Sequence, residues 1–208
     1  MATCSPDHIW NIAHTMTDSF LEDPLFENIF QGIQNKAQLL HITSLLQIKQ
    51  AANSERMQLH LLDGNPRAFL IGGYSKHQSY WKQALLMLKT YMVVFSTLSW
   101  ADIRTLWANN QSIRDVLNLG WYQEFVGENY YHLKIIAIDK HLRGTGAFRK
   151  LITPVLINCD LQQIPIVLET HNEQNVAIYA HFDFELVHTI SAPHTNLKQY
   201  CMVRYPQV

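Results

Sequence analysis

The stretch Leu133-Lys134-Ile135-Ile136-Ala137-Ile138, followed by Asp139-Lys140-His141-Leu142 and then Arg143-Gly144-Thr145-Gly146-Ala147, decides the fold. The first part is an apolar strand and the last part opens a helix. Two glycines at such a junction let the backbone approach a ligand and turn its N–H groups outward. The helix that follows adds its positive end, so the junction suits an anion. A dinucleotide fingerprint requires a third glycine where this chain has Arg149, and a P-loop requires a Gly-Lys-Ser/Thr that is absent.

Downstream of this turn the chain alternates. A helix is expected over about 144–159, a strand over 164–169, a short helix over 175–181, and strands over about 184–189 and 200–205. Strand–helix–strand with short loops implies a parallel pair joined by a right-handed crossover. Upstream, Ser5-Pro6 opens a first helix with Ile9, Ile12, Ala13, Met16 and Phe20 on its apolar face, and Asp23-Pro24 stops it. The run from Leu25 to Phe30 reads as a short turn of helix. A second helix is expected over about 36–51. Two short apolar runs around Asp63-Gly64 read as a β-hairpin, with Gly72-Gly73 marking a bulge or a close backbone approach. The region of about 80–125 reads as a helical insertion. There Trp81, Leu85, Leu88 and Met92 share one side, Ser99 caps a helix, and a further helix runs through Ile113, Val116 and Leu117 to Gly120.

Composition narrows the class. The chain has 208 residues, 48% hydrophobic and 16% charged, which suits one α/β domain with a sizeable core. A formal charge of −1 and the lack of a polybasic run argue against nucleic-acid and membrane partners. Cys4, Cys159 and Cys201 are scattered and odd in number, so a disulfide framework is not expected and a reducing cytoplasm is the natural setting. The N-terminus lacks the pattern of a signal peptide, and the apolar run 84–98 is too short and mixed to span a membrane. The eleven histidines show no HExxH or comparable cluster, so no metal is expected. His171 and His181 read as surface or cap histidines. No Gly-x-Ser-x-Gly elbow supports a hydrolase.

A second motif lies in Leu168-Glu169-Thr170-His171-Asn172-Glu173-Gln174-Asn175-Val176-Ala177-Ile178-Tyr179, followed by Phe182-Asp183-Phe184. Together with Arg143-Gly144-Thr145-Gly146, this resembles the GNAT superfamily of acyl-CoA N-acyltransferases. That family carries [Gln/Arg]-x-x-Gly-x-[Gly/Ala], then an Asn followed by an apolar helix bearing a Tyr and ending in Gly-Phe. Leu-Glu-Thr, Asn-x-x-Asn-Val-x-x-Tyr, Pro154 inside the helix after the turn, and Phe20-Leu21-Glu22-Asp23-Pro24-Leu25-Phe26 are similar to the puromycin N-acetyltransferase-like branch. Two positions depart from the pattern. Phe148 stands at the motif's final Gly/Ala, where it either crowds the ligand or points into the core. Asp183 stands at the Gly of Gly-Phe, and Asp tolerates a left-handed helix end better than most residues.

The resemblance implies a single domain, 1–208, with one mixed sheet flanked by helices, a splayed central parallel pair, and direct transfer from acetyl-CoA to a primary amine. It implies that the strand ending at Ile138 pairs with the pantetheine arm, with a backbone N–H near Ile136 or Ala137 polarising the thioester carbonyl. Arg143, Gly144, Thr145, Gly146, Ala147 and Phe148 would hold the pyrophosphate. Asn172 would bond the cofactor arm, and Asn175 joins the cofactor set while also suiting a helix cap. Tyr179 would protonate the departing thiolate. Glu169 is the leading candidate for the base, with His132, His171, Glu128 and a water chain as rivals. The acceptor is an unidentified small-molecule or peptide amine, and Phe20, Phe26, Phe30, Trp81 and Trp121 either line its site or fill the core. A homodimer is left open. The alternatives are a GNAT-like acyl-CoA binder or scaffold without catalysis, and a nucleotide-phosphate binder using the same turn.

Overall fold

The computed structural model describes residues 6–52, 57–75, 88, 92, 97–118 and 120–207. Helix α1 (Pro6–Phe20) buries Ile12, Ala13 and Met16, the stripe its periodicity predicts. Asp23 ends the turn after it and caps α2 (Pro24–Ile29), its carboxylate accepting from Leu25 N–H at 3.0 Å. Helix α3 (Lys36–Ala52) follows. Strands β1 (Met57–Leu62) and β2 (Asn65–Tyr74) form the expected hairpin. Asp63 and Gly64 both take positive φ, at 51° and 74°, as a two-residue hairpin turn demands.

Helix α4 (Trp100–Ile113) is capped by Ser99, whose hydroxyl accepts from Asp102 N–H at 3.1 Å. The separate helix expected through Val116 and Leu117 does not form. The chain leaves α4 in turns, because Ile113, Val116 and Leu197 bury together with Leu25 and Ile29, a cluster that no single helical stripe supplies. Leu88 and Met92, expected on a buried face, are exposed. Cys4, Trp81 and Leu85 lie outside the described residues.

Strand β3 (Tyr131–Ile138) leads to helix α5 (Ala147–Leu161), with Pro154 inside it, and then to β4 (Ile166–Thr170). Helix α6 (Glu173–Ala180), β5 (Glu185–Ser191) and β6 (Lys198–Arg204) complete the chain. The six strands form one mixed sheet in the order β1-β2-β3-β4-β6-β5, in which β3 and β4 are parallel and the other neighbours antiparallel.

Alternation along β2 sets the two layers. Phe69 and Ile71 face α1 and α3, joining Ile12, Met16 and Ile48. Leu70 faces the other way, joining Leu133, Ile152, Val155, Leu168 and Met202 beneath α5 and α6. Burial of each such Leu or Ile side chain contributes about 1.5–3 kcal/mol. On the first face, Trp121, Val126 and Tyr130 cover Val167, Cys201 and Val203. The Gly72 position has a specific cause: the Tyr131 ring lies against its Cα, where a Cβ would collide with ring and hydroxyl. The register shifts here as well, leaving Lys134 as the extra residue of a β-bulge between Leu133 and Ile135.

Candidate active site

Parallel pairing between β3 and β4 is confined to Tyr131↔Ile166 and His132↔Val167, with Tyr131 N–H also donating to the Pro165 carbonyl at 2.9 Å. Beyond His132 the strands part, while β2 still pairs with β3 as far as Ile138. The β4-facing backbone groups of Ile136, Ala137 and Ile138 therefore border a wedge in the middle of the sheet. Backbone donors and acceptors in such a place need a partner, and an extended ligand arm can supply it.

The wedge opens toward the glycine turn. Gly144 and Gly146 hold φ of +75° and +81°, and a Cβ at either would meet nothing within 4 Å. Gly146 occupies the N-cap of α5 without a side-chain cap, so the first N–H groups of the helix, on Ala147, Phe148 and Arg149, have no protein acceptor among the described residues. Thr145 folds back, its hydroxyl donating to the Leu142 carbonyl at 2.7 Å. Arg143 donates from Nε to the Ile138 carbonyl at 3.3 Å, tying the turn to the strand. Asp139 anchors the loop: it accepts from Arg67 Nε and Nη2 at 3.2 and 3.1 Å and from His141 N–H at 2.8 Å. The His141 bond, aided by Arg67, outweighs desolvation and holds the Asp139 carboxyl below its ordinary range. The helix begins at Ala147 rather than at 144, because both glycines are left-handed and Arg143 is extended.

Phe148 points into the core. Its ring sits 5.2 Å from Phe182 and 5.8 Å from Tyr179, so it leaves the turn open and offers the turn only its backbone N–H. Arg149 lies over the Phe182 ring at 5.2 Å and bonds His181 Nε2 at 2.9 Å.

Asn172, not Asn175, caps α6: its side chain accepts from Gln174 N–H at 3.0 Å. Asn175 lies one turn inside, its Nδ2 donating to Thr170 Oγ1 at 3.2 Å, and this holds the helix to the end of β4. Asp183 takes φ of +64° and does the glycine's work at the helix end, where Phe182 and Phe184 N–H both return to the Tyr179 carbonyl. His181 is the C-cap, as a cap histidine was expected to be. Tyr179 is half-buried between Phe148 and Phe184. Burial, with the charges of Asp23 and Glu169, pushes its phenol well above the usual tyrosine range, so it stays protonated. Its hydroxyl is neither bonded nor sealed in among the described residues.

On the opposite face, two rivals for the base come together. His132 Nε2 lies 3.2 and 3.0 Å from the two Glu169 oxygens, and Trp121 Nε1 donates to Oε2 at 3.3 Å. Desolvation would raise the Glu169 carboxyl, but the His132 bond and charge, Trp121 and the charge of His171 together lower it. Trp121 is thus a core residue with a polar task. His171 is not a surface histidine: its Nε2 is buried without a partner, and desolvation lowers its pKa against the pull of Glu169. Lys134, on the bulge, is also lowered by desolvation and feels Glu169. From the N-terminal half, Asp23 reaches the same region, its carboxyl raised by burial and its charge felt at Tyr179. Trp121 was expected either to line the acceptor site or to fill the core, and Asp23 only as part of a motif; their contacts with Glu169 and Tyr179, like the position of Lys134, depend on tertiary structure. Glu128 takes no part in this network; its carbonyl accepts from the Ser75 hydroxyl.

Among the described residues, no group of three His, Cys, Asp or Glu side chains could hold a metal ion, and no helix is long and apolar enough to cross a membrane. Cys159 and Cys201 are buried free thiols, pushed by burial to about 12 and about 11.

No protein-family model matches the chain. An uncharacterized N-acetyltransferase of Schizosaccharomyces pombe is 32% identical over 82 residues, a match covering 38% of this chain and 33% of that protein. The chain thus spans about a third of the length of this relative. Among solved structures, one described as histone acetyltransferase HPA2 and related acetyltransferase from Corynebacterium glutamicum superimposes with a TM-score of 0.63 at 13% identity, over 98% of this chain and 94% of that one. Arylalkylamine N-acetyltransferase 2 of Aedes aegypti gives 0.55 at 14%, over 99% and 97%. A Desulfovibrio desulfuricans protein described as a GNAT-family acetyltransferase gives 0.51 at 10%, over 97% and 94%. At these identities the likeness is one of fold. The chain has the α/β fold of the GNAT acetyltransferases, a mixed six-stranded sheet flanked by helices.

Proposed function

We propose that this chain is an acyl-CoA-dependent N-acetyltransferase that moves an acetyl group from acetyl-CoA to a primary amine by direct transfer. One observation carries the reading: an open glycine turn with unpartnered helix N–H groups stands at the mouth of a wedge whose walls are unpaired backbone. An anionic head with an extended, amide-bearing arm fits that combination. Gly144, Gly146, Ala147 and Phe148 would offer N–H groups to the pyrophosphate, with Arg143 beside them. Ile136, Ala137 and Ile138 would pair with the arm. Acetyl-CoA supplies an activated thioester carbonyl, and a β3 N–H facing the wedge would polarise it.

Tyr179, kept protonated and with a free hydroxyl, suits proton delivery to the leaving sulfur. Asn172 and Asn175 fix the helix that presents it. The carboxylates of Asp23 and Glu169, whose charges are both felt at Tyr179, would attract an alkylammonium, which favours an amine acceptor. The aromatic set Phe20, Phe26 and Phe30, adjoining Asp23, would give such an acceptor an apolar wall. The finer resemblance, to the puromycin N-acetyltransferase-like branch, rests on the Asn172-to-Tyr179 spacing, Pro154 and the Asp23-Pro24 motif. It does not fix the acceptor. The relatives' names range from histone to arylalkylamine acetylation, which leaves both peptide and small amines in play.

The inward Phe148 and the left-handed Asp183 answer the two sequence departures that would have favoured a catalytically silent binder. The test is release of free thiol from acetyl-CoA over a panel of aminoglycosides, polyamines, arylalkylamines, amino acids and peptides with free N-termini. Amine-dependent turnover with any of them is the expected result. Acetyl-CoA binding without turnover across the panel would replace catalysis with sensing.

A further inference from the structure

Acetyl transfer to an ammonium needs a proton acceptor, and this proposal rests on the acetyl-transfer reading above. Glu169 is the obvious carboxylate but is poorly suited to the task. Both its oxygens face His132 Nε2, and Oε2 also accepts from Trp121. A carboxylate stabilised by such donors is a weak base. His132 has a second ring nitrogen. Its Nδ1 has no partner among the described residues and is not sealed in, although the residue as a whole is only 8% exposed. A neutral imidazole that donates its Nε2–H to a carboxylate must carry its lone pair on Nδ1.

The place is also right. His132 is the last residue of β3 that pairs with β4, so its ring sits at the root of the wedge. From Ile138, beside the turn, back to Leu133 is five strand steps, about 16 Å. An arm entering from the turn and running along β3 heads toward the root of the wedge, where His132 stands. The groups around the imidazole come from every neighbouring element. Glu169 stands on β4, Trp121 and Tyr122 on the turn before β3, Lys134 on the bulge, His171 after β4, and Cys201 opposite Glu169 on β6. Tyr122 stacks edge-on at 5.6 Å and limits rotation of the ring.

We propose that His132 Nδ1 is the proton acceptor for the amine, and that Glu169 and Trp121 are positioning residues that fix the imidazole as its Nε2–H tautomer. The ammonium gives one proton to Nδ1, and the Glu169 carboxylate stabilises the resulting imidazolium. The neutral amine nitrogen then forms the N–C bond to the acyl carbon as the C–S bond breaks and its electron pair leaves on sulfur. Tyr179 protonates that sulfur and is restored by the second proton of the amine nitrogen. The first proton passes from His132 to solvent. The balance is one ammonium and one thioester giving one amide, one thiol and one released proton.

Two measurements on the full chain test this. In ¹⁵N-histidine NMR of the ligand-free protein, neutral His132 is expected as the Nε2–H tautomer, and Glu169→Gln is expected to erase that preference. An Nδ1–H tautomer, or an imidazolium that persists above pH 9, overturns the proposal while leaving acetyl transfer untouched. In pH–rate profiles with spermidine and phenethylamine as probes, His132→Gln is expected to lower kcat/KM by about 10²–10³-fold and to remove the acidic limb. Glu169→Gln is expected to keep that limb while lowering kcat/KM less than His132→Gln does, because it loosens the ring without removing Nδ1. Removal of the limb by Glu169→Gln, with its retention in His132→Gln, makes Glu169 the base and overturns the proposal. Absence of turnover in the wild type with either probe and across the amine panel overturns it together with the reading on which it rests, even when the tautomer is as expected.

Discussion

Nε2 of His132 lies 3.0 Å from Oε2 of Glu169 at the point where β3 and β4 cease to pair. The side-chain pair continues, on one face, the bridge that the backbone ladder gives up. Because the Glu169 carboxyl is lowered in the folded protein, the pair's contribution to stability is present above the unfolded carboxyl value near 4.5 and is lost as pH falls through the folded value. Glu169→Gln should lower stability by roughly 1–3 kcal/mol at pH 7, and the gap to wild type should close below pH 4. Urea unfolding at pH 7 and pH 3.5 measures this. A gap independent of pH would remove the charge from the account.

Tyr179→Phe should leave folding nearly unchanged, since the ring packs on Phe148 and Phe184 and the hydroxyl has no hydrogen-bond partner among the described residues. Turnover should fall by about 10²-fold or more with acetyl-CoA affinity retained. Because the phenol is pushed up, the wild-type rate should show no loss from Tyr179 ionisation below pH 10. Equal losses of binding and turnover would assign Tyr179 to packing alone.

Gly146→Ala tests the turn by strain rather than by crowding. Its φ of +81° disfavours an L side chain by roughly 1–2 kcal/mol, while a Cβ there meets nothing within 4 Å. The expected result is a small drop in melting temperature with CoA affinity weakened about tenfold, as the cap shifts away from its anion-binding form. Unchanged affinity would separate the turn from the ligand.

Tyr131 and Gly72 test the core beneath the wedge. The Tyr131 hydroxyl is buried without a partner, and burial pushes its phenol far up. Tyr131→Phe should therefore be neutral or stabilising by up to about 1 kcal/mol. Gly72→Ala should cost about 1–3 kcal/mol through overpacking against the same ring. Thermal melts of both variants check the pair, and a destabilising Tyr131→Phe would mean that the hydroxyl has a partner after all.

Much of this was legible in the sequence because it is local. Ser99, Asp23-Pro24, Asp63-Gly64 and Gly144-x-Gly146 each set a cap or turn through their own backbone chemistry. The apolar stripe of α1 needs only its spacing. The His132–Glu169 pair depends instead on the parallel register His132↔Val167, which no spacing reveals across a separation of 37 positions. Asn172 and Asn175 are both good caps, and only the path of β4, ending at Thr170, decides between them. The helix expected through Val116 failed for a similar reason: Leu197, from a distant loop, buries Ile113 and Val116 in a turn. Phe148 looked like an obstacle because its direction depends on Phe182, a contact across two helices.

The glycine turn and the wedge form the proposed acyl-CoA site. Isothermal titration of the full chain with acetyl-CoA tests it most directly. One site per chain is expected, competed by free CoA and not by ATP, and weakened in Gly146→Ala. No heat of binding at millimolar acetyl-CoA, or equal competition by ATP, would contradict it.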